Sequence, residues 1–484
     1  MMRGTGKLFG LALGAVAMAA APSFTARQAA AQTVQLDVEQ MRLAAELNLR
    51  NGDMGRALAF ADALLQRDPQ DVTALLIRSH ALRATGEAGK AQDAARTAWQ
   101  LAPSDNLKYS SAMLMAQALS SDGKRTRSQL WLRRAAQVAP TEEQQARAAQ
   151  DFRYVQRNNP WQTQLAFTLA PNSNINNGSA RATSALLWQI FNPFNQDGTG
   201  QVVLGAASKA LSGLEMGVDV QTRYRFHQTE RTAHDLRLGL SYRSYRLSGS
   251  ARDALALDDA ERVARGERPQ DITGSDFAYG TVQLGYGYKR LRSDQRGEFS
   301  LTADLGQSFY AGARYNSYLR GTVGQSYYAN ETTKFDFGLS AETRHAQRGI
   351  AQDTLSLSAG MSRKLASGDG LYLGAAVSTV ASDIARAEYD EVRLRAGYML
   401  GRELMGTALQ FGMSTSFRDY DISPHDPSGR RETQLTADIT ATFRQINYMG
   451  FKPVVSLTAS TTDSNIGLYD VKRTGLSIGI ASAF

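Results

Sequence analysis

The stretch Leu236-Arg-Leu-Gly-Leu-Ser-Tyr-Arg243 alternates strictly between large apolar side chains and side chains that are small, polar or charged. Successive side chains of a β-strand point to opposite faces, so this pattern predicts a strand with one apolar face and one polar face. A soluble sheet would need more bulk in its core than glycine and serine provide. The pattern is instead typical of a transmembrane β-barrel, in which the apolar face meets lipid and the other faces the lumen.

The same alternation recurs through the chain after Trp161, for example over Thr281–Tyr288 and Arg473–Phe484. It predicts a barrel of about fourteen strands within residues 161–484. Most of the segments are long enough to cross a bilayer at a tilt. The predicted strands are 161–171, 213–227, 232–247, 276–289, 296–310, 313–328, 332–345, 352–364, 369–380, 389–400, 406–418, 430–443, 450–462 and 471–484.

The connections between these segments differ in length. Those after even-numbered segments are short, and those after odd-numbered segments are mostly long, with 172–212 and 248–275 the longest. Outer-membrane barrels have short periplasmic turns and longer external loops. We therefore expect both ends of the barrel to face the periplasm. The connection after the fifth segment is an exception, because it is very short.

The last segment also resembles the C-terminal signal that the barrel-assembly machinery recognises. It ends at Phe484, in register with the apolar face of the strand. We expect that machinery and outer-membrane lipid to be partners of the chain. The residues assigned to the signal are Gly475, Ile478, Ile480 and Phe484.

Before the barrel, residues 36–156 are rich in Ala, Leu, Gln and Arg and are self-similar. Gly52 and Gly86 lie 34 residues apart, as do Pro69 and Pro103, and a third unit ends at Pro140 after an insertion of three residues. A period of 34 is that of the tetratricopeptide repeat, a pair of helices with glycine in the turn and proline after the second helix. We therefore predict an α-solenoid that binds a partner; the alternative is an inert helical spacer.

The first 31 residues have the features of a secretory signal peptide. Arg3 and Lys7 precede a short apolar run over residues 8–21, and Ala29-Ala-Ala31 offers a cleavage site. About 14 apolar residues are too few to cross the hydrocarbon core as a helix. We expect the repeat domain to lie in the periplasm and the barrel in the outer membrane.

Composition argues against several classes of function. The net charge of +8 is spread along the chain rather than clustered, which argues against nucleic-acid binding. The absence of cysteine excludes disulfides, thiolate metal sites and thiol nucleophiles, and the five histidines lack metal-binding spacing. The sequence shows no serine–histidine arrangement for an activated nucleophile. We expect no catalytic, cofactor-binding or metal-binding residues.

Two stretches resemble a known family. Ala170–Gly178, A-P-N-S-N-I-N-N-G, follows the first strand, and the stretch Asn447–Gly475 contains D-S-N-I-G-L-Y-D. Both are similar to the surface lipoprotein assembly modulators (Slam), also called type XI secretion outer-membrane proteins, and the likeness covers most of the chain. It implies an outer-membrane protein that carries surface lipoproteins, or soluble binding proteins, across the membrane. The segment 179–211 departs from the family pattern.

The two S-N-I motifs are the candidate site. In a closed barrel the first and last strands pair, so both motifs are expected at the external end of this seam. The first segment is short and the last carries Gly475 and Gly479, which predicts a weak seam. The motifs are either turn formers that cap strands or a latch on the seam. Their residues are Asn172, Ser173, Asn174, Ile175, Asn176, Ser464, Asn465 and Ile466.

Four functions are compatible with a barrel that carries tetratricopeptide repeats. We favour a translocator whose repeats engage a cargo protein or chaperone. The main alternative is an exopolysaccharide export porin with a periplasmic repeat scaffold, although such proteins generally have much longer arrays. An enzymatic barrel and a passive porin are the remaining hypotheses.

Overall fold

The computed structural model describes residues 36–186 and 201–482. The predicted signal peptide, Phe484 and residues 187–200 of the long first loop lie outside the described residues. None of the described helices is both long and apolar enough to cross a membrane.

Helices in antiparallel succession form the N-terminal part of the described chain. Side-chain caps start most of them; Asp37, for example, forms a reciprocal capping box with Gln40. The helices are α1 Val38–Arg50, α2 Met54–Arg67, α3 Val72–Ala84, α4 Ala88–Leu101, α5 Asp105–Ser121, α6 Arg125–Val138 and α7 Glu142–Asn158.

The repeat pattern has a direct structural cause. Gly52, Gly86 and Gly123 occupy the turns α1–α2, α3–α4 and α5–α6 with φ of +81°, +89° and +72°, a conformation that favours glycine. Five residues after the third glycine, Ser128 stands where the other units have a small alanine. Its buried hydroxyl donates to the carbonyl of Ala116 at 2.7 Å, so the third pair of helices also packs closely.

Fourteen antiparallel strands close into a barrel, so the predicted fold class is confirmed. Neighbours in sequence are neighbours in space, and the first strand, β1 (Trp161–Asn172), completes the ring by pairing with both β4 (Gly213–Gln228) and β16 (Val471–Ser482). The barrel strands are β1 Trp161–Asn172, β4 Gly213–Gln228, β5 Thr232–Leu247, β6 Tyr279–Leu291, β7 Glu298–Tyr310, β8 Ala313–Tyr328, β9 Thr333–Ala346, β10 Gln352–Lys364, β11 Gly370–Ala381, β12 Tyr389–Met399, β13 Thr407–Tyr420, β14 Arg430–Phe443, β15 Phe451–Ser464 and β16 Val471–Ser482.

We call the rim where β1 begins the near rim and the opposite one the far rim. The near-rim turn Met405-Gly406 joins β12 to β13, and the near-rim turn Met449-Gly450 joins β14 to β15. Each has positive φ at both central residues, as a type I′ hairpin turn requires. The very short connection after the fifth predicted segment is the same kind of turn at the far rim, made by Ala311 and Gly312.

The two longest far-rim connections carry structure that the alternation did not predict. In the first, β2 (Thr183–Ala185) pairs with β3 (Gln201–Val203). In the second, helix α8 (Gly249–Ala264) starts at Ser248, whose hydroxyl accepts the Ala251 amide at 3.1 Å. The two connections share a hydrophobic cluster, so they form one folded cap. Its buried members are Ile175, Ala206, Leu211, Leu247, Ala251 and Leu255.

Candidate functional site at the barrel seam

The seam between β1 and β16 is paired unevenly. The register joins Asn172 to Gly475 and Leu169 to Ile478, both in the far-rim half of β1. Along β4, in contrast, every residue of β1 from Trp161 to Asn172 has a partner. Among the described residues, no ladder pair joins the first eight residues of β1 to β16. Within the described residues, the ladder pairs of the seam therefore lie in the far-rim half of β1.

Two glycines of β16 lie next to the backbone of β1. A Cβ at Gly479 would lie 3.4 Å from the Phe167 carbonyl oxygen, and one at Gly475 would lie 3.6 Å from that of Pro171, so the strands stay adjacent. These glycines provide no side-chain packing across the seam. The expectation that the first strand is short was wrong, because β1 has twelve residues, as many as β16.

The first S-N-I motif bridges the seam directly. The backbone nitrogen of Ser173 donates to the Thr474 carbonyl at 3.0 Å, and the Thr474 nitrogen donates to the Ser173 hydroxyl at 2.8 Å. Asn174 has no exposed surface; its Nδ2 donates to the carbonyls of Gly178 at 2.8 Å and Lys472 at 3.2 Å. A turn former would bond only its own backbone, whereas Asn174 also reaches β16.

The rest of this motif ties the seam to the far-rim cap. Asn172 donates to the Glu215 carboxylate of β4 at 3.0 Å, and its own Oδ1 accepts the Asn174 amide at 2.9 Å. The Ile175 side chain is buried in the cap cluster. Asn176 donates to the Lys209 carbonyl at 2.8 Å and accepts the Leu211 amide at 2.9 Å. The motif is thus the joint between β1, β4, β16 and the cap.

The second S-N-I motif lies at the same rim but faces away from the first. Asn465 donates to the Asp426 carboxylate at 3.0 Å and accepts the Arg431 amide at 2.8 Å, which ties it to the loop between β13 and β14. Ser464 accepts the Ile466 amide at 3.2 Å, and Ile466 is buried. Here the motif does behave as a strand cap, although it anchors a neighbouring loop as well.

Asp470 connects the second motif to the segment that follows the first one, and sequence reasoning did not single it out. Its Oδ1 accepts the Ser464 amide at 2.7 Å, its Oδ2 accepts Arg181 Nε at 2.5 Å, and its carbonyl accepts the Ala180 amide at 2.6 Å. The hydrogen bond to this carboxylate raises the pKa of the Arg181 guanidinium. The position directly after S-N-I-G-L-Y was the available signal, because Asp commonly bonds backbone near turns.

The Asp426 carboxyl at the far rim is also held in its charged form. Hydrogen bonds from the hydroxyl and amide of Ser428, and from Asn465, lower its pKa.

Gly475, Ile478 and Ile480 of the proposed assembly signal lie on β16. Ile478 and Ile480 are half exposed on the outer face.

The outer and inner faces of the barrel differ as the alternation implies. On β1, Leu165, Phe167 and Leu169 are about half exposed on the outside. Inside, charges are paired: Asp235 accepts Arg225 Nε at 2.7 Å, and Glu391 accepts Arg418 Nε at 2.8 Å. The lumen-facing positions of β1 differ from these, because they carry no charge. These are Gln162, Gln164, Ala166, Thr168, Ala170 and Asn172.

Within the part of the chain that the structure describes, no group of three or more His, Cys, Asp or Glu side chains is placed to hold a metal ion.

Comparison with known proteins gives structural resemblances only. No family model matches the chain, and no curated protein matches it. The helices resemble the type III secretion translocator chaperone SycD of Yersinia enterocolitica, with 15% identity, 26% of this chain and 88% of that chain covered, and a TM-score of 0.24.

The barrel resembles an outer membrane channel from Pseudomonas putida F1, with 10% identity, 66% and 95% of the two chains covered, and a TM-score of 0.30. It also resembles the anion-selective porin from Comamonas acidovorans, with 12% identity, 67% and 100% covered, and a TM-score of 0.28. Likeness at this level carries no functional weight. The topology of the chain itself defines its class: a transmembrane antiparallel β-barrel that carries an N-terminal array of tetratricopeptide-like helices.

Proposed function

We propose that this chain is an outer-membrane translocator that exports or displays a partner protein, either a surface lipoprotein or a secreted binding protein. One observation carries the proposal: a helical repeat array is joined to the mouth of a closed fourteen-strand barrel by two residues between α7 and β1. Repeat arrays of this kind bind extended peptides and partner domains. An array at the entrance of a barrel is placed to deliver what it binds.

The lumen supports transport of a polar chain. Its wall is lined by glycine, serine, threonine and paired charges, and barrels of this strand number enclose a wide interior. A polypeptide in such a lumen replaces hydrogen bonds to water with hydrogen bonds to hydroxyls and charged groups of the wall. This interpretation gives the protein a path and a receptor and assigns it no catalytic role.

Orientation follows from the connections. The near rim has short turns, whereas the far rim has the cap and most of the longer loops. We infer that the near rim and the helical array face the periplasm and that the far rim faces outside. The signal peptide would direct the chain to the periplasm, and the barrel-assembly machinery would insert it into the outer membrane. The resemblance carried by the two S-N-I motifs is the basis for proposing that the chain is a member of the Slam family.

The experiment compares cells with and without the gene. Surface proteins released by brief proteolysis, and proteins in the medium, are quantified by mass spectrometry. We expect one protein or a small set to leave the surface or medium and to accumulate in the periplasm. The full-length chain should restore export of that protein, whereas a chain that lacks residues 36–156 should not.

Two outcomes would overturn the proposal. Loss of an exported polysaccharide with unchanged surface proteins would identify a polysaccharide exporter. Loss of small-solute uptake alone would identify a passive porin.

A further inference from the structure

Helix α6 forms hydrogen bonds with the near-rim turn between β14 and β15. Arg133 Nη1 donates to the Met449 carbonyl at 3.0 Å, and the Met449 amide donates to Gln137 Oε1 at 2.6 Å. Arg133 and Gln137 are four residues apart, so they project from the same face of the helix. The helical array therefore bonds both backbone groups of a single turn residue.

The neighbouring turn shows what this contact changes. Met405-Gly406 and Met449-Gly450 adopt the same backbone conformation at the same rim. Met405 is 89% exposed, whereas Met449 is half-buried and Gly450 is buried. In a type I′ turn the central amide and carbonyl are not used by the hairpin, so they remain available to a partner. Helix α6 binds this amide and this carbonyl in the Met449-Gly450 turn.

The Arg133 side chain joins three elements. It is 7% exposed, and its guanidinium carbon lies 4.6 Å from the ring centroid of Phe152 in α7 and 4.2 Å from that of Phe451 in β15. Cations stack favourably on aromatic faces, and more strongly when water is excluded. The contact is therefore a packed joint as well as a pair of hydrogen bonds.

A second joint fixes the same two helices to β1. Asn159 is buried between α7 and β1; its Nδ2 donates to Thr126 of α6 at 3.1 Å, and its Oδ1 accepts the Trp161 amide at 3.2 Å. The Trp161 ring in turn lies 4.6 Å from the ring of Tyr224 in β4. The start of β1 is thus attached to α6 and to the barrel wall.

These two joints lie on opposite sides of the seam. Around the rim the order is β15, β16, β1, so the helices hold β15 on one side and β1 on the other. β16 is paired with β15 from Val471 to Ser482, whereas its ladder pairs with β1, within the residues that the structure describes, are those of Gly475 and Ile478.

We propose that helices α6 and α7 form a strap across the near-rim end of the seam, and that release of Met449 from α6 lets the β15–β16 pair move away from β1. The far-rim bonds of Ser173 and Asn174 then act as the hinge. This inference rests on the proposed function, in which cargo bound to the helical array would displace α6.

The test needs no cargo. Thr168 and Gly479 continue the register of Leu169 with Ile478, so a cysteine pair there reports the middle of the seam; the native chain has no cysteine to interfere. Disulfide formation requires Cα atoms within about 7 Å. The rate is measured on the purified full chain in lipid nanodiscs, with heat-modified gel mobility as the check that the barrel is folded.

Combined R133A and Q137A substitutions should slow disulfide formation several-fold and make a longer thiol crosslinker more efficient than a short one. The matched control is R134A, which removes the adjacent exposed arginine that stacks on Trp131. M405G is a second control, since it changes the equivalent, exposed turn between β12 and β13. Both controls should match the parent rate.

Equal rates in all four proteins would overturn the strap. A cysteine pair at Ser173 and Thr474 should crosslink equally in every variant, and loss of that crosslink would contradict a far-rim hinge. If the rates change as expected but no surface protein depends on the gene, the strap stands and the export proposal fails. If export is found but the disulfide rates are equal, the export proposal stands and the strap proposal fails.

Discussion

The side chain of Asn174 donates a hydrogen bond to the backbone carbonyl of Lys472, across the seam between the first and last barrel strands, at 3.2 Å. Asn174 is fully buried, and its Oδ1 also accepts the Gly178 amide at 2.9 Å. Replacement by alanine would leave those groups without this partner. A buried polar group left unpaired costs about 1–3 kcal/mol.

N174A should therefore lower the thermal unfolding midpoint of the purified barrel and make the far-rim cap more sensitive to protease. N465A is the matched control, because the exposed Asn465 bonds a neighbouring loop instead of the seam. It should have a smaller effect on unfolding. Equal effects of the two substitutions would contradict a special role for Asn174 in the seam.

The orientation of the barrel can be tested by epitope tags. A tag after Arg268, in the exposed segment that follows α8, should be labelled on intact cells. Asp258, within α8, is unsuitable for a tag, because its carboxylate accepts the Ala206 amide at 3.1 Å and an insertion there would disturb the cap. A tag after Ser293, in an exposed near-rim turn, should be labelled only after the outer membrane is opened. Labelling of the second tag on intact cells would reverse the assigned orientation.

The paired charges of the lumen predict an electrical property. Glu342 is buried and accepts hydrogen bonds from both Arg320 and Arg344. E342Q would leave two arginines facing the lumen without their carboxylate, so the pore should become more selective for anions. The reversal potential of the channel in a salt gradient measures this shift.

D336N is the control for that substitution, because the Lys334–Asp336 pair is more exposed and therefore more screened by water. It should change selectivity less. A shift of E342Q toward cations would contradict the assignment of these residues to the lumen.

The helical array and the barrel each form their own helix and strand hydrogen bonds, and the Met449 backbone groups that α6 binds can bond water in its absence. Deletion of residues 36–156 should therefore leave a barrel that inserts and shows heat-modified mobility, while export of the dependent protein falls sharply. Normal export by the shortened chain would mean that the array is only a spacer. Failure of the shortened barrel to assemble would show that the array contributes to folding.

Much of the architecture was predictable because it follows from local physics. The alternation over Leu236–Arg243 reflects lipid on one face and water on the other, and Gly52 and Gly86 recur because each turn needs positive φ. Helix α8 was missed although its signal was present: Ser248 caps an alanine- and leucine-rich stretch. The length of that connection predicts a long loop, and only the cap at Ser248 indicates the helix within it.

The site was predictable only in part. The pairing of the first and last strands follows from closure, so the place of Asn174 at the seam could be deduced. The partners of Asn465 could not, because its contacts with Asp426 and Gly429 depend on how an adjacent loop folds. The Arg181–Asp470 pair joins residues 289 positions apart, and no local pattern indicates it.

The most direct test of the central claim, that a protein passes through the barrel, is a photocrosslinker placed at adjacent residues with opposite faces. The Ser356 hydroxyl lies 2.7 Å from that of Ser378 on the lumen side, and Leu355 is 56% exposed on the outer face. In exporting cells, a crosslinker at Ser356 should yield an adduct with the exported polypeptide, and one at Leu355 should not. Export that continues without any polypeptide adduct at Ser356, or with an adduct at Leu355 alone, would contradict passage through the lumen.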